Sequence, residues 1–198
     1  DKVAGQTEPL AEPRRRILQT LYNWKPDVQY IAGICPHDDY YYAGRLYSLV
    51  LPHIGAKNVI MFGVSHKARK HGIRDKLIFD DFDKWHGCYH PIEISKLRNE
   101  IIERLPENSY IISNEIHSQE HSLEGIACFL QYYNKDVNIV PVLVPAMDWQ
   151  CLNTHAETFT NAVNSIIEAR SLTLKADLGF LISNDSVHYG DAGWGPNF

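Results

Sequence analysis

The sequence predicts an α/β protein built as a three-layer sandwich, in which a mainly parallel or mixed sheet lies between helices on both faces. Short apolar, β-branched runs recur along the chain, and stretches with helical periodicity alternate with them. The apolar runs are almost unbroken, which is typical of strands covered on both faces. Parallel neighbouring strands need a crossover connection, and the helical stretches supply it.

Five runs have the length and composition of strands. They are residues 28–35, 58–64, 110–113, 137–144 and 178–183. A sixth, short strand is expected at 77–79, within the long irregular stretch 75–91.

Helices are predicted between these strands, because apolar residues there recur at helical spacing. The predicted helices are 9–24, 44–53, 93–105, 122–134 and 155–169. In 93–105, for example, Ile94, Leu97 and Ile101 share one face, while Lys96 and Arg98 lie on the other.

Composition limits the classes of function. The 198 residues suit one domain, and we expect a single domain over 1–198. No apolar run approaches the ~20 residues of a membrane span. The net charge is −5, and the basic run 14–16 lies beside acidic residues, so neither a membrane nor a nucleic acid is an expected partner. Four cysteines without a C-x-x-C pair favour free thiols, a reducing compartment and a cytoplasmic location.

Ionisable residues follow three of the predicted strands. Cys35-Pro36-His37 follows the first strand, Ser65-His66 follows the second, and the run 184–188 follows the last. In open α/β sheets, ligands bind outside the carboxyl ends of strands, so these exits are expected to converge on one crevice.

Two imidazoles with a carboxylate or a third imidazole are ligands for a divalent metal: zinc, copper or iron(II). His37 and His66 are the first candidates, and His188 is a third. The alternative is that these histidines are hydrogen-bonded loop residues, which is common at strand ends. The residues alone leave both interpretations open.

Three further motifs contain candidate functional residues. His86-Gly-Cys88-Tyr-His90 has possible ligand atoms, but its irregular segment favours a structural role. Ser122 is a plausible N-cap with Glu124 in the first turn, which leaves His121 as an acid–base or orienting group. Tyr40 is a candidate for an aromatic pocket wall, because it follows His37 closely.

Several motifs together resemble the Memo family, also described as protein B of the AmmeMemoRadiSam system. The family's P-H-A-G-Y, G-P-S-H-H and E-H-S-I/L-E motifs are similar to residues 36–40, 63–67 and 120–124. Its I-I-P-V-L-V and S-S-D-F-C-H-W-G motifs are similar to 139–144 and 183–190. The resemblance spans residues 31–190 and implies a fold similar to that of class III extradiol dioxygenases.

The resemblance also implies a site. His37 and His66 would be metal ligands, and Asp185 and His188 would line the same pocket. His121 and Glu124 would lie nearby. Iron or copper is the metal that the resemblance implies, with zinc possible from the ligand chemistry.

The chain departs from the family pattern in ways that affect this site. Asp38 and Asp39 replace a small Ala-Gly pair, and Lys67 replaces a second histidine. Family members continue for roughly another third, which includes a cysteine that resembles a third ligand. We therefore expect that the chain lacks the family's C-terminal portion, and that His188, Asp185 or Asp38 completes the site.

The sequence thus predicts metal-dependent redox or dioxygenase-type chemistry on a small molecule. In this hypothesis His37, His66 and His188 bind the metal; the catalytic residues are His121, Asp185 and Glu124; substrate is bound by Tyr40 and Asp38. The alternative is a non-catalytic protein that binds a peptide or a partner with the same pocket, because aromatic anchors dominate recognition surfaces.

Overall fold

The structure is a computed structural model that describes residues 27–184, apart from the side chain of Tyr42. The helix predicted over 9–24 lies outside the described residues. Two predicted site residues, Asp185 and His188, also lie outside them.

Eight strands form one mixed sheet in the described part of the chain. They are β1 Ala32–Cys35, β2 Asn58–Val64, β3 Leu77–Phe79, β4 Lys84–Trp85, β5 Ile92–Ile94, β6 Tyr110–Ile112, β7 Asn138–Val144 and β8 Leu178–Ser183. The predicted strands at 58–64, 77–79 and 178–183 are confirmed to the residue, and the other three differ at their ends by one to four residues.

The sheet order is β1-β8-β2-β7-β3-β6. Strands β1, β8, β2 and β7 are mutually parallel, whereas β3 runs antiparallel to β7 and β6 runs parallel to β3. Strand β5 pairs with the first half of β7, and β4 pairs with β5. The carboxyl ends of β1, β8 and β2 therefore lie at one edge of the sheet, as the convergence of the predicted site requires.

Five α-helices and two 3-10 turns lie between the strands of residues 27–184. The helices are α1 Tyr40–Val50, α2 Leu97–Ile102, α3 Asn114–Gln119, α4 Glu124–Tyr133 and α5 Trp149–Arg170; the 3-10 turns are Leu51–His53 and Ala68–His71. None of these helices is long and apolar enough to cross a bilayer.

The core divides into two parts, one on each face of the sheet. On one face, residues of α1, α3 and α4 pack against strands, with Tyr47, Ile116 and Phe129 fully buried. On the other face, α2 and α5 cover the sheet with residues such as Ile101 and Phe159. Alternate residues of a strand are therefore buried on opposite faces of the sheet, each face covered by helices. This confirms the predicted three-layer α/β sandwich.

The predicted helix 93–105 is wrong at its start. Residues Ile92–Ile94 form β5, because Glu93 and Ile94 pair with Asn138 and Ile139 at the open edge of β7. A helix begins only at Leu97. The sequence pattern was ambiguous because an isoleucine at every second position also fits a strand.

The predicted N-cap at Ser122 is also wrong. The Ser122 hydroxyl instead donates to the Val64 carbonyl oxygen at 2.8 Å, and α4 begins at Glu124 without a side-chain cap. The preceding helix α3 was not predicted; its N-cap is Ser113, whose hydroxyl accepts a 3.4 Å hydrogen bond from Ile116 N. Ser122 thus fixes the turn between α3 and α4 to the end of β2.

Candidate metal centre

Three histidines meet at the carboxyl edge of the sheet. His37 lies two residues after β1, His66 lies two residues after β2, and His121 lies in the turn between α3 and α4. Each offers one ligand nitrogen, and these atoms lie within 4.8 Å of one another. Among the described residues this is the one group of three or more potential ligand side chains with such spacing.

The rings are arranged closely. His37 Nε2 lies 3.3 Å from His66 Nε2. The His66 and His121 rings are stacked with centroids 4.9 Å apart, and the His37 ring meets both at its edge. His37 is buried, whereas the side chains of His66 and His121 are 35% and 67% exposed. The centre therefore opens to solvent on the side of His121.

The tautomer of His37 follows from Ser183, the last residue of β8. The Ser183 hydroxyl donates to the Ser122 carbonyl oxygen, so its oxygen is left to accept a hydrogen bond. His37 Nδ1 lies 2.8 Å from that oxygen and therefore carries the proton. The lone pair of His37 then lies on Nε2, which faces His66.

Glu120 fixes His66 in the same way. Its Oε1 accepts a hydrogen bond from His66 Nδ1 at 2.8 Å, and its Oε2 accepts one from the His66 main-chain N–H at 2.7 Å. The same carboxylate accepts from the main-chain N–H groups of His121 and Ser122, at 2.9 and 3.3 Å. A carboxylate that orients a histidine through Nδ1 is the usual outer partner of a metal-bound imidazole.

The Glu120 side chain is ionised. Burial would raise its pKa, but the hydrogen bonds from the His66 ring and from the main-chain N–H groups of His121 and His66 outweigh burial and lower the pKa. Only 2% of its side chain is exposed, so the negative charge lies beneath the imidazoles. This negative charge favours the binding of a cation by the imidazoles.

The nitrogens have the spacing of two ligands on one ion. His37 Nε2 and His66 Nε2 lie 3.3 Å apart, and the Nδ1 atoms of both rings are engaged by oxygen partners. Two nitrogens that lie about 2.1 Å from a tetrahedral ion are about 3.4 Å apart. The separation of the two Nε2 atoms therefore fits two ligands on one divalent ion.

A cavity of about 280 Å³ adjoins this centre through Glu120. Its other lining residues are Phe82, Lys84, Trp85, His86, His117, Ser118 and Glu124. Glu124, a predicted catalytic residue, is exposed and lies in the cavity wall. The volume is that of a small molecule, and its wall combines aromatic and ionisable side chains.

The other predicted site residues lie around the cluster. Asp38 is exposed, and its carboxylate accepts a 2.7 Å hydrogen bond from Asp39 N. Tyr40 packs on Phe129 with ring centroids 4.9 Å apart, and burial, then the nearby Cys128, Cys88 and Glu124, raises its pKa to about 12. Tyr40 is therefore a neutral phenol. Among the described residues, no hydrogen bond, ion pair or ring contact is found between Asp38 or Tyr40 and the three histidines.

Sequence reasoning missed two residues that position the ligands, Glu120 and Ser183. Glu120 stands in the E-H-S-L-E motif, so its place beside His121 was a usable signal. Ser183 ends an apolar run, and nothing in the sequence pairs it with His37. In the group 86–90, the His90 carbonyl oxygen accepts a 2.8 Å hydrogen bond from the Gln131 side-chain amide, which holds this segment against α4.

Comparison with known proteins identifies relatives. A family model described as Memo-like protein matches residues 2–194. A MEMO1 family protein of Pyrococcus furiosus is 26% identical over 203 residues, covering 96% of this chain and 64% of the relative. One from Methanosarcina barkeri is 27% identical over 194 residues, covering 94% and 66%.

A MEMO1 family protein of Archaeoglobus fulgidus is 28% identical over 192 residues, covering 95% of this chain and 67% of the relative. The chain thus spans about two thirds of the length of these relatives. The family model covers nearly all of the sequence, including the strand exits that carry the three histidines. The chain belongs to the Memo-like family.

Proposed function

We propose that this Memo-like chain binds a divalent metal ion with His37, His66 and His121 and carries out metal-dependent redox chemistry on a small molecule in the adjoining cavity. The observation that supports this most is that His37 Nε2 lies 3.3 Å from His66 Nε2. The Nδ1 atoms of both rings are already engaged as hydrogen-bond donors. In this proposal His121 is the third ligand, for which the sequence suggested His188, Asp185 or Asp38. The prediction that His188 and Asp185 line the same pocket concerns residues outside the described part of the chain.

Iron or copper would supply redox and oxygen chemistry at this centre, whereas zinc would supply Lewis acidity alone. The chain's own residues have separable tasks. Ser183 and Glu120 hold the ring orientations of His37 and His66. Glu124, exposed in the cavity wall, is the proposed proton acceptor from a bound substrate.

The substrate side of the site is the cavity wall formed by Trp85, His86 and Glu124. In this proposal Trp85 packs against an aromatic ring of the substrate, and the Glu124 carboxylate accepts a proton from a hydroxyl or amine of the substrate. We therefore propose a small aromatic or polar organic molecule as substrate, with water displaced from the cavity when it binds.

The test is metal content per chain, measured by mass spectrometry on anaerobically purified protein. Wild type should hold about one ion per chain, and His37→Ala, His66→Ala and His121→Ala should each lose most of it. His71→Ala, which removes an exposed histidine in the 3-10 turn after β2, is the matched control. Wild-type protein that takes up no iron, copper or zinc after reconstitution would overturn the proposal.

A second candidate function is recognition of a peptide or partner protein without catalysis. It is favoured by Tyr41, which lies next to Tyr40 and Asp39 and is 81% exposed. A binding protein of this kind should keep its partner when His37 becomes alanine but lose it in Tyr41→Ala. A metal-dependent enzyme should instead lose its activity in His37→Ala and keep it in Tyr41→Ala. Aromatic side chains such as Tyr41 are typical anchors of recognition surfaces.

A further inference from the structure

Two cysteines outside the metal centre lie side by side. Cys88 is in the loop between β4 and β5, and Cys128 is in α4. Cys88 lies close enough to Cys128 to raise the pKa of the Cys128 thiol. Both are free thiols; Cys88 is exposed and Cys128 is half-buried. Forty residues of sequence separate them, so the fold brings the two sulfur atoms together.

The loop that carries Cys88 is held against the face of α4 that carries Cys128. Gln131, three residues after Cys128 and hence on the same helix face, accepts from Tyr89 N at 3.3 Å and donates to the His90 carbonyl oxygen at 2.8 Å. These hydrogen bonds lie on the residues directly after Cys88. These hydrogen bonds therefore hold the segment next to Cys88 against the face of α4 that carries Cys128.

Gly87 shows how closely the loop approaches α4. A Cβ atom at this position would lie 2.2 Å from the His90 carbonyl oxygen and 2.4 Å from Gln131 Oε1. Only glycine fits there without a shift of the main chain. Gly87, before Cys88, therefore packs closely against Gln131. Tyr89, after Cys88, donates its main-chain N–H to Gln131.

We infer that Cys88 and Cys128 form a redox-active dithiol whose substrate is a low-molecular-weight disulfide, such as oxidised glutathione. The product is an intramolecular disulfide that ties the β4–β5 loop to α4. This inference does not depend on the metal site, because neither cysteine is among the three proposed ligands. Trp85 and His86 of the cavity wall immediately precede the loop, so oxidation would fix that wall.

The electron balance of this exchange is complete. The Cys88 thiolate attacks one sulfur of the small disulfide and releases one thiolate, which takes up a proton. Cys128, as its thiolate, then attacks Cys88 Sγ and releases the second thiolate, which is protonated in turn. The two cysteines lose two electrons and two protons, and the small disulfide gains both.

The order of attack follows from exposure. Cys88 is exposed and therefore meets the disulfide first. Burial raises the pKa of Cys128 to about 12, and the neighbouring Cys88 and Glu124 act in the same direction. Attack by Cys128 is consequently the slower step, and a mixed disulfide on Cys88 should accumulate before the ring closes.

The test is intact-mass spectrometry of the reduced chain during incubation with oxidised glutathione. Wild type should first gain one glutathionyl group and then lose it, ending about 2 Da lighter than the reduced protein. Cys128→Ser should stop at the glutathionyl adduct, and Cys88→Ser should form no such adduct. Cys151→Ser, which removes a half-buried cysteine at the start of α5, is the matched control and should behave as wild type.

Peptide mapping of the oxidised wild type should find residues 88 and 128 in one cross-linked peptide. A link to Cys151, a disulfide between two chains, a stable glutathionyl adduct in wild type, or no reaction would each overturn the inference. Circular dichroism of Cys88→Ser and Cys128→Ser shows whether either variant is misfolded. Cys88→Ala is a second variant at the exposed position and should give the same result as Cys88→Ser.

Discussion

The carboxylate of Glu120 binds both the ring and the main chain of His66. Its two oxygens lie 2.8 Å from His66 Nδ1 and 2.7 Å from His66 N. Because Glu120 directly follows α3 while His66 follows β2, one buried charge joins two distant parts of the sequence at the metal centre. The orientation of His66 thus depends on the turn that also carries His121.

Replacement of Glu120 should weaken metal binding without unfolding the chain. In Glu120→Gln the buried charge is lost and one main-chain N–H meets an amide donor, so His66 is held less firmly. Loss of such an outer partner typically costs 10- to 100-fold in metal affinity, and we expect a loss of about this size. The measurement is Zn²⁺ titration in competition with a chromophoric chelator.

Glu124→Gln is the matched control for that titration. It removes the charge of a glutamate one turn further along the chain, which is exposed in the cavity wall and makes no hydrogen bond to the three histidines in the described structure. Its Zn²⁺ affinity should stay within about threefold of wild type, the size of an exposed charge effect. Equal losses in both variants would contradict the positioning role of Glu120.

Gly63 should be intolerant of a side chain. A Cβ atom there would lie 2.5 Å from Ser122 Oγ and 2.6 Å from Leu123 Cγ, and both residues are buried. Gly63→Ala should displace the turn that carries His121, costing about 1–3 kcal/mol of stability by overpacking and weakening metal binding. Urea unfolding and the chelator titration measure the two effects.

Gly44→Ala is the comparison for this substitution. A Cβ atom at Gly44 would meet Phe129 at 3.6 Å, an ordinary contact, and the position lies inside α1. Alanine should therefore stabilise the helix by up to about 1 kcal/mol and leave the metal affinity unchanged. A Gly63→Ala protein as stable and as metal-competent as Gly44→Ala would show that the turn adjusts freely.

The extent to which the sequence predicted this site has a physical explanation. His37 and His66 were predictable because the ends of parallel strands meet at one edge of the sheet, and strand β2 was predicted to the residue. The motif at residues 120–124 placed Glu120 beside His121, but because α3 was not predicted, nothing in the sequence placed Glu120 under His66. Short elements such as α3 and β5 are stabilised mainly by tertiary contacts, which local periodicity does not report.

His117 should make stability depend on pH below neutrality. Its Nε2–H donates to the Ile78 carbonyl oxygen at 3.0 Å, and its ring is buried. Burial is the largest influence and lowers its pKa below the ordinary 6.5, against opposing effects of Asp80, the Ile78 hydrogen bond and Glu120. The unfolded chain therefore binds a proton at this residue at a higher pH than the folded chain does.

The sign follows from that difference. Where the unfolded state binds more protons, the free energy of unfolding rises with pH. Wild type should therefore lose stability as the pH falls from about 7 through 6.5 towards the lower folded pKa of His117. His117→Gln keeps a side-chain donor for Ile78 but does not titrate, so its stability should fall less over this range. Parallel curves from urea unfolding at several pH values would contradict the prediction.

The buried ion pair of Asp80 and Arg98 should contribute more to stability than the exposed ion pair of Lys84 and Glu93. Asp80 accepts from Arg98 Nη1 at 2.7 Å and from Trp85 Nε1 at 2.6 Å, and its side chain is fully buried. Asp80→Asn leaves the guanidinium without its counter-charge, and removal of one partner of a buried pair costs about 3–5 kcal/mol. Urea unfolding should measure a loss of this size.

The ion pair of Lys84 and Glu93 supplies the control, because it bridges β4 and β5 at 2.8 Å while both side chains are more than half exposed. Glu93→Gln should leave the urea midpoint close to that of wild type, since solvent screens exposed charges. In the double variant Asp80→Asn/Arg98→Met the unpaired charge is gone, so part of the lost stability should return. If the double variant is as unstable as the sum of its single variants, the cost comes from lost packing around Trp85 and not from an uncompensated charge.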